Sequence, residues 1–283
     1  MTPTSDNAVR TVRLVTPGLP ASDGAGVRMT RIIGTHALDH LDPFLLFDVF
    51  RSDDPDDYIA GFPPHPHRGF ETVTYMFAGQ MRHRDNAGNE GIIRPGGVQW
   101  MTAGRGIVHS EMPEQDQGLM WGTQLWVNLP AANKMVPPAY HEYPADEIPV
   151  ETRDGDQRIA VIAGTTRLGT EGPVIGRPTA PIYLDIRLAA GRVFAEPLPE
   201  MHNAFAFVVQ GRLDINGTRV DEGSLAVLGD GSIVEAESVS AEARFLLVSA
   251  RALKEPIARG GPFVMNTQEE LRRAFFDYQA GRF

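Results

Sequence analysis

Strand-length runs of β-branched and aromatic residues, each closed off by glycine or proline, recur along this chain and constrain it to an all-β fold. Residues 70–77 (FETVTYMF) form the clearest run, and 97–101 (GVQWM), 125–128 (LWVN), 159–163 and 182–188 read the same way. The 29 glycines and 22 prolines punctuate these runs too often for long helical stripes. Residues 205–209, 212–216 and 218–220 spell strands around a hairpin folded at Asn216-Gly217, a pair suited to the positive φ of a type I′ turn. The sequon Asn216-Gly217-Thr218 is read as that turn. One stretch breaks the rhythm, NTQEELRRAFFDYQAGRF, which predicts a helix at about 267–280. Asn266 or Thr267 can cap it, Glu269 or Glu270 stands in capping-box position, Leu271, Phe275 and Tyr278 share a face, and Gly281 ends it.

The chain reads as two halves. Residues 128–148 (NLPAANKMVPPAYHEYPADEI) hold four prolines and suit an extended connector, which predicts domains at 1–140 and 141–283. The halves echo each other: TYMFAGQM (74–81) matches AFVVQGRL (206–213), and GVQWM (97–101) matches GSLAV (223–227). Such an echo suggests a duplicated β-barrel. The formal net charge of −10 argues against binding nucleic acid or anionic lipid through bulk electrostatics. With no cysteine, thiolate ligands, thiol nucleophiles and disulfides are excluded, so any metal sits on nitrogen and oxygen. The first residues lack the apolar core of a secretory signal and no apolar run reaches membrane-spanning length, so a cytoplasmic protein is expected. Two barrels covering each other's apolar faces favour a monomer.

Two short motifs carry the chemistry. His65-Pro66-His67 opens a strand, where side chains two residues apart share a face, so two imidazoles aim at one point. Later Gly104-Arg105-Gly106-Ile107-Val108-His109-Ser110-Glu111 presents a second such pair, His109 and Glu111, after a glycine turn that permits close backbone approach. If the two strands are neighbours, His65, His67, His109 and Glu111 converge on one divalent metal. Three imidazoles and a carboxylate suit Fe, Ni, Cu, Co, Mn or Zn, whereas Mg and Ca want more oxygens. Glu71 has the same parity as the first pair and is a rival ligand or an outer hydrogen-bonding carboxylate. Arg68 points the other way by parity and is expected at the surface. His36, His40, His83, His141 and His202 fall in no such pair and read as surface or hydrogen-bonded core residues.

The run GFPPHPHRGFETVTYMFAGQMRHRDNAGNEGIIRPGGVQWMTAGRGIVHSEMP (61–113) resembles the signature of the pirin family within the cupin superfamily. DPFLLFDVF (42–50), LWVNLP (125–130), GPFVMNT (261–267) and the terminal helix extend the likeness over essentially the whole chain. The resemblance implies two tandem cupin (jelly-roll) β-barrels with a short C-terminal helix, the first binding metal, iron foremost, through His65, His67, His109 and Glu111. Aligning Gly211 with Gly79 puts Pro197 and Pro199 where the histidines should be, so the second barrel is expected to be metal-free and structural.

The resemblance further implies quercetin (flavonol) 2,3-dioxygenase activity. A flavonol binds through its 3-hydroxyl and 4-carbonyl, dioxygen attacks the ring, and the ring opens to a depside with loss of carbon monoxide. Glu111, or Glu71 from behind the ligands, would accept the hydroxyl proton. Phe62, Phe70, Trp100 and Met101 are candidates to line the substrate pocket. A different expectation, also carried by the resemblance, is a non-catalytic, redox-sensitive metal protein that binds a transcription factor or metabolic enzyme. The acidic stretch 51–57 (RSDDPDD) reads as a solvated turn.

Overall fold

The computed structural model describes residues 8–154 and 156–283. Strand β1 (Val12–Thr16) is followed by β2 (Leu19–Asp23), β3 (Val27–Ile33), β4 (Phe44–Ser52), β5 (Phe62–His67) and β6 (Phe70–Ala78). Then come β7 (Met81–Asp85), β8 (Glu90–Ile93), β9 (Val98–Thr102), β10 (Ile107–Pro113), β11 (Met120–Asn128) and β12 (Ala139–Tyr143). The second half holds β13 (Val150–Arg153), β14 (Gln157–Ala163), β15 (Ile182–Ala189), β16 (Val193–Pro197), β17 (His202–Gln210), β18 (Arg212–Ile215) and β19 (Thr218–Asp221). It closes with β20 (Leu225–Leu228), β21 (Ile233–Ser238), β22 (Glu242–Arg251), β23 (Ala258–Gly260), β24 (Phe263–Met265) and one helix, α1 (Gln268–Gln279).

These elements form two compact units, each discontinuous in sequence. One comprises Gly18–Glu147 and Leu253–Phe283; the other is built from Ile148–Ala252 and β1. Contiguous halves meeting at residue 140 therefore do not describe the chain. Part of the proline-rich connector becomes β12, which pairs with β9 and keeps the first unit running to Glu147, while the C-terminal segment returns to that unit. Each unit is an open jelly roll of a seven-stranded and a four-stranded sheet. The orders are β12-β9-β6-β11-β4-β3-β2 with β5-β10-β7-β8, and β1-β20-β17-β22-β15-β14-β13 with β16-β21-β18-β19. The two sets correspond strand for strand, which is the duplication echoed in the sequence. The hairpin between β18 and β19 turns at Asn216 (φ 47°) and Gly217 (φ 81°).

The units differ in what fills them. In the second, one apolar cluster from both sheets, including Ile159, Leu184, Phe194, Leu213, Phe245 and Leu247, occupies the interior. On β21, Val234, Ala236 and Ser238 point inward while Glu235 and Glu237 are exposed, the alternation of a strand wet on one face. In the first unit, Met29, Phe50, Met76, Met81, Ile93 and Met120 belong to one apolar cluster, smaller clusters form around Phe70 and Met101, and buried polar side chains including His67, His83, His109 and Glu111 share the interior.

The C-terminal segment is fastened to the first unit by polar contacts. Lys134, 2% exposed, donates from Nζ to the Gly69 carbonyl at 2.8 Å, Asn128 Oδ1 at 2.7 Å and the Val264 carbonyl at 2.9 Å, so every ammonium hydrogen has an acceptor. Gly69 (φ 90°) is required here, because a Cβ would collide with the Val264 carbonyl oxygen. Arg68 is buried, at 3% exposure, not at the surface as strand parity predicts. The strand breaks between His67 and Phe70, and Arg68 turns inward to bond the Arg105 carbonyl at 2.5 Å and Asp277 at 3.0 Å, with its guanidinium 4.3 Å over the Phe283 ring.

Helix α1 begins at a complete capping box, Thr267 with Glu270. Its inward positions are Leu271, Ala274 and Asp277; Phe275 and Tyr278 are partly exposed and meet Phe263 edge-on. Asp277 faces inward because Arg68, Arg273 and Arg282 all bond it, at 3.0, 3.0 and 2.9 Å. Desolvation pushes its carboxyl up, but hydrogen bonds from Arg68 and Arg273 more than offset this and hold it below the usual carboxylate range. A carboxyl depressed on folding adds stability above its unfolded value, about 3.9, and loses it as the pH falls towards the folded value. Asp277→Asn should therefore cost about 2 kcal/mol at pH 7, between exposed and fully buried pairs, with the gap to wild type closing below about pH 4. Urea unfolding at pH 7 and pH 3 checks both; an equal gap at the two pH values would refute the assignment.

Candidate metal centre

The centre is built on the pairing of β5 with β10 in the four-stranded sheet. His109 lies opposite His65 and Ile107 opposite His67, so the two motifs, far apart in sequence, are direct cross-strand neighbours. Ring centroids are 4.7 Å apart for His65 and His67, 4.3 Å for His65 and His109, and 5.0 Å for His67 and His109. One nitrogen from each ring lies within 4.8 Å of the others, on the order of two metal–nitrogen bonds of about 2 Å each. His67 and His109 are buried, at 3% and 1% exposure, and His65 is half-buried.

Hydrogen bonds assign the tautomers. His65 Nδ1 is 2.9 Å from the Pro63 carbonyl and His67 Nδ1 3.4 Å from the Pro262 carbonyl. A carbonyl only accepts, so in both rings Nδ1 bears the hydrogen and Nε2 the lone pair. These two Nε2 atoms face each other at 3.0 Å. For His109 the chain is longer. Gln99 Nε2 donates to His83 Nδ1 at 2.9 Å, and His83 Nε2 donates to Asp85 Oδ2 at 3.3 Å. His83 Nδ1 is thereby an acceptor, so His109 Nδ1, 3.4 Å away, donates to it. His109 Nε2 is left as a buried lone pair without a partner. Burial first, and then the other histidines, hold the His67 and His109 imidazoles well below the usual histidine range, which keeps them in the neutral, ligating form. Three inward lone pairs fit a divalent cation and little else.

Glu111 stands outside this group. The register of β5 against β10 slips between His65 and Phe62, at Pro63-Pro64, where neither residue has an amide hydrogen to pair. Glu111 reaches the opposite sheet, accepting from Thr74 Oγ1 at 2.9 Å and Gln124 Nε2 at 2.8 Å. Its carboxylate is held on the wall of the same space as His65 and His67. Glu71 is on the other sheet, bonded by Thr102 Oγ1 at 2.8 Å, and is not in the histidine group. Its matching parity with His67 counts for nothing across the break at Arg68-Gly69.

His65, His67, Glu111, Thr74 and Gln124 line a cavity of about 690 Å³, within the usual range for small-molecule sites. Of the four expected pocket residues, Phe62 lines it. Phe70 stacks behind Trp126 at 4.3 Å and touches His67 at 5.0 Å without reaching the wall. Trp100 and Met101 are fully buried on β9, Met101 packed with Ala103 and Ile107. The apolar wall is Phe50, Leu46, Met29, Met81, Trp126 and Phe62 instead. Sequence reasoning also passed over His83, Asp85, Gln99, Thr74, Gln124 and Trp126. The available signals were the i, i+2 pair His83 and Asp85, and single polar residues inside otherwise apolar strands.

The sequence pattern of the pirin family matches residues 26–127, and that of the pirin C-terminal cupin domain matches 183–283. A pirin-like protein of Caulobacter vibrioides is 54% identical over 275 residues, 97% of this chain and 99% of that one. This chain belongs to the pirin family. A pirin of Mus musculus is 43% identical, over 91% of this chain and 88% of its own length. Among solved structures, quercetin 2,3-dioxygenase from Acinetobacter baumannii superposes with a TM-score of 0.89 at 32% identity, covering 98% of this chain and 99% of that one. The pirin match over residues 26–127 includes all three histidines and Glu111, and the tandem cupin fold follows from both matches.

Because Asp85 and His83 act on the centre only through the His109 ring, their removal should loosen metal without unfolding the chain. Asp85→Asn and His83→Gln are each expected to weaken metal affinity about 10- to 100-fold. Competition with a chromogenic chelator measures this, and unchanged affinity in both variants would show that the relay does not orient His109.

Proposed function

We propose that the chain is a metal-dependent dioxygenase that cleaves flavonols such as quercetin at the 2,3 bond, with the metal held by His65, His67 and His109 and with Glu111 beside it. The supporting observation is access: two of the three histidines and Glu111 sit in the wall of a cavity of about 690 Å³ rather than behind a sealed core. A volume of that size takes a three-ring aromatic compound. A divalent metal here, iron foremost, with nickel, copper, cobalt, manganese or zinc as alternatives, supplies a Lewis acid for the flavonol 3-hydroxyl and a path for electrons to dioxygen.

The chain's own residues do the rest. Trp126, Phe50 and Phe62 offer flat aromatic surface that orients an aromatic ligand and keeps water from its reacting face. Glu111 is the proton acceptor for the 3-hydroxyl. Thr74 and Gln124 bond its two oxygens and so fix its direction before the ligand enters. His65, half-buried, is the histidine nearest solvent and marks the side from which ligand approaches. The likeness to the Acinetobacter quercetin 2,3-dioxygenase supports the same reading.

Metal-loaded protein should consume oxygen and release carbon monoxide with quercetin. His109→Ala is expected to abolish turnover together with stoichiometric metal, and Glu111→Gln to lower the rate by about 10²- to 10⁴-fold with metal retained. An oxygen electrode and elemental analysis read both. Failure of all six metals to support turnover would sink the enzymatic reading and favour a non-catalytic metal protein that binds a protein partner.

A further inference from the structure

Two guanidinium groups line the cavity, and they are in different states. Arg31 is saturated: its Nε and Nη2 hold both oxygens of Asp48 at 2.9 and 2.7 Å, and Nη2 also meets Asp23 at 2.9 Å. Both rim carboxylates are held on Arg31, whose single positive charge offsets one of their two negative charges. Arg259, on β23, forms no ion pair among the described residues. Its hydrogen bond runs from Nη1 to the Leu45 carbonyl at 3.0 Å, which leaves most of its N–H donors uncommitted. The guanidinium lies 5.1 Å from the centre of the Trp126 ring, and Trp126 meets His67 edge-on at 5.1 Å. Trp126 therefore neighbours both Arg259 and His67, and all three line the same cavity. Gly261 and Pro262, which follow Arg259, continue that wall, and the Pro262 carbonyl fixes His67.

Arg259 is exposed, so the donors the protein leaves free face solvent at the cavity wall, and its charge is opposed by Arg31 and supported by Asp39, Asp48 and Asp23. The remaining cavity carboxylate, Glu111, is engaged by Thr74 and Gln124. We propose that Arg259 is an anion anchor, so that the cavity selects aromatic ligands bearing a carboxylate, or a comparably acidic oxygen, at the end remote from the histidines. The planar fork of a guanidinium receives a carboxylate with two parallel hydrogen bonds. This rests on the cavity being the site of an aromatic substrate and adds the charge of that substrate.

Isothermal titration of the metal-loaded protein at pH 7 with 3-hydroxyflavone and with its 4′-carboxylate tests the anchor. Wild type should bind the carboxylate about 10- to 100-fold more tightly. Arg259→Gln should bring the two within about 3-fold, and Arg259→Lys should keep part of the preference, as a point charge without the fork. A wild type without preference, or a preference that survives in Arg259→Gln, overturns the proposal. The same comparison with 2-naphthoate and 2-naphthalenemethanol separates the anchor from flavonol chemistry. If flavonols neither bind nor react while the naphthoate preference is present and lost in Arg259→Gln, the dioxygenase reading fails and the anchor stands. Equal binding of the two naphthyl probes, or none of either at millimolar concentration, overturns the anchor.

Discussion

The first unit depends on three imidazoles whose outer nitrogens are committed and whose inner nitrogens are not. Pro63, Pro262 and His83 accept the outer hydrogens, so the lone pairs have no direction left but inward. A buried polar atom without a partner costs about 1–3 kcal/mol, and two lone pairs facing each other at 3.0 Å add repulsion. The fold sustains this by backbone pairing of β5 with β10 and by the rigid Pro-rich approach to His65. A cation removes the cost at its source, which is why the arrangement is intelligible as a metal centre and not as a core.

The duplicated architecture shows what the same frame does without that burden. Strand for strand the second unit repeats the first, yet at the positions of β5 and β10 it carries β16 and β21, with Phe194, Val234 and Ala236 packed into a continuous apolar cluster. Buried charges appear there in ion pairs, Arg153 with Glu151 and Glu196 and Asp185 with Arg244. The contrast between the two interiors follows from side-chain chemistry alone, since the backbone scaffolds match.

Much of this was legible in the sequence because short-range periodicity governs it. The i, i+2 spacing of His65 with His67 placed both imidazoles on one face, and the strands at 70–77, 159–163 and 182–188 were bounded by their own composition. The pairing of β5 with β10 was anticipated only as a condition, because register depends on partners that no local pattern names. Parity failed where a strand broke unseen: Arg68 was extrapolated past the strand end at His67, and Glu71 across Gly69, whose positive φ turns the chain there. Helix α1 was capped as expected, but its buried face is set by Asp277 meeting Arg68, a tertiary ion pair that outweighs the apolar pattern of Phe275 and Tyr278. Trp126 and Arg259 are far apart in the sequence, and nothing in either neighbourhood announces that they meet.

The returning C-terminal segment has a consequence for biosynthesis. All three histidines precede by more than 150 residues the acceptor that orients His67, the Pro262 carbonyl, and the Val264 carbonyl that Lys134 clasps. A growing chain thus carries all three rings before the carbonyl that orients His67 exists, and strand pairing alone leaves that ring without its brace.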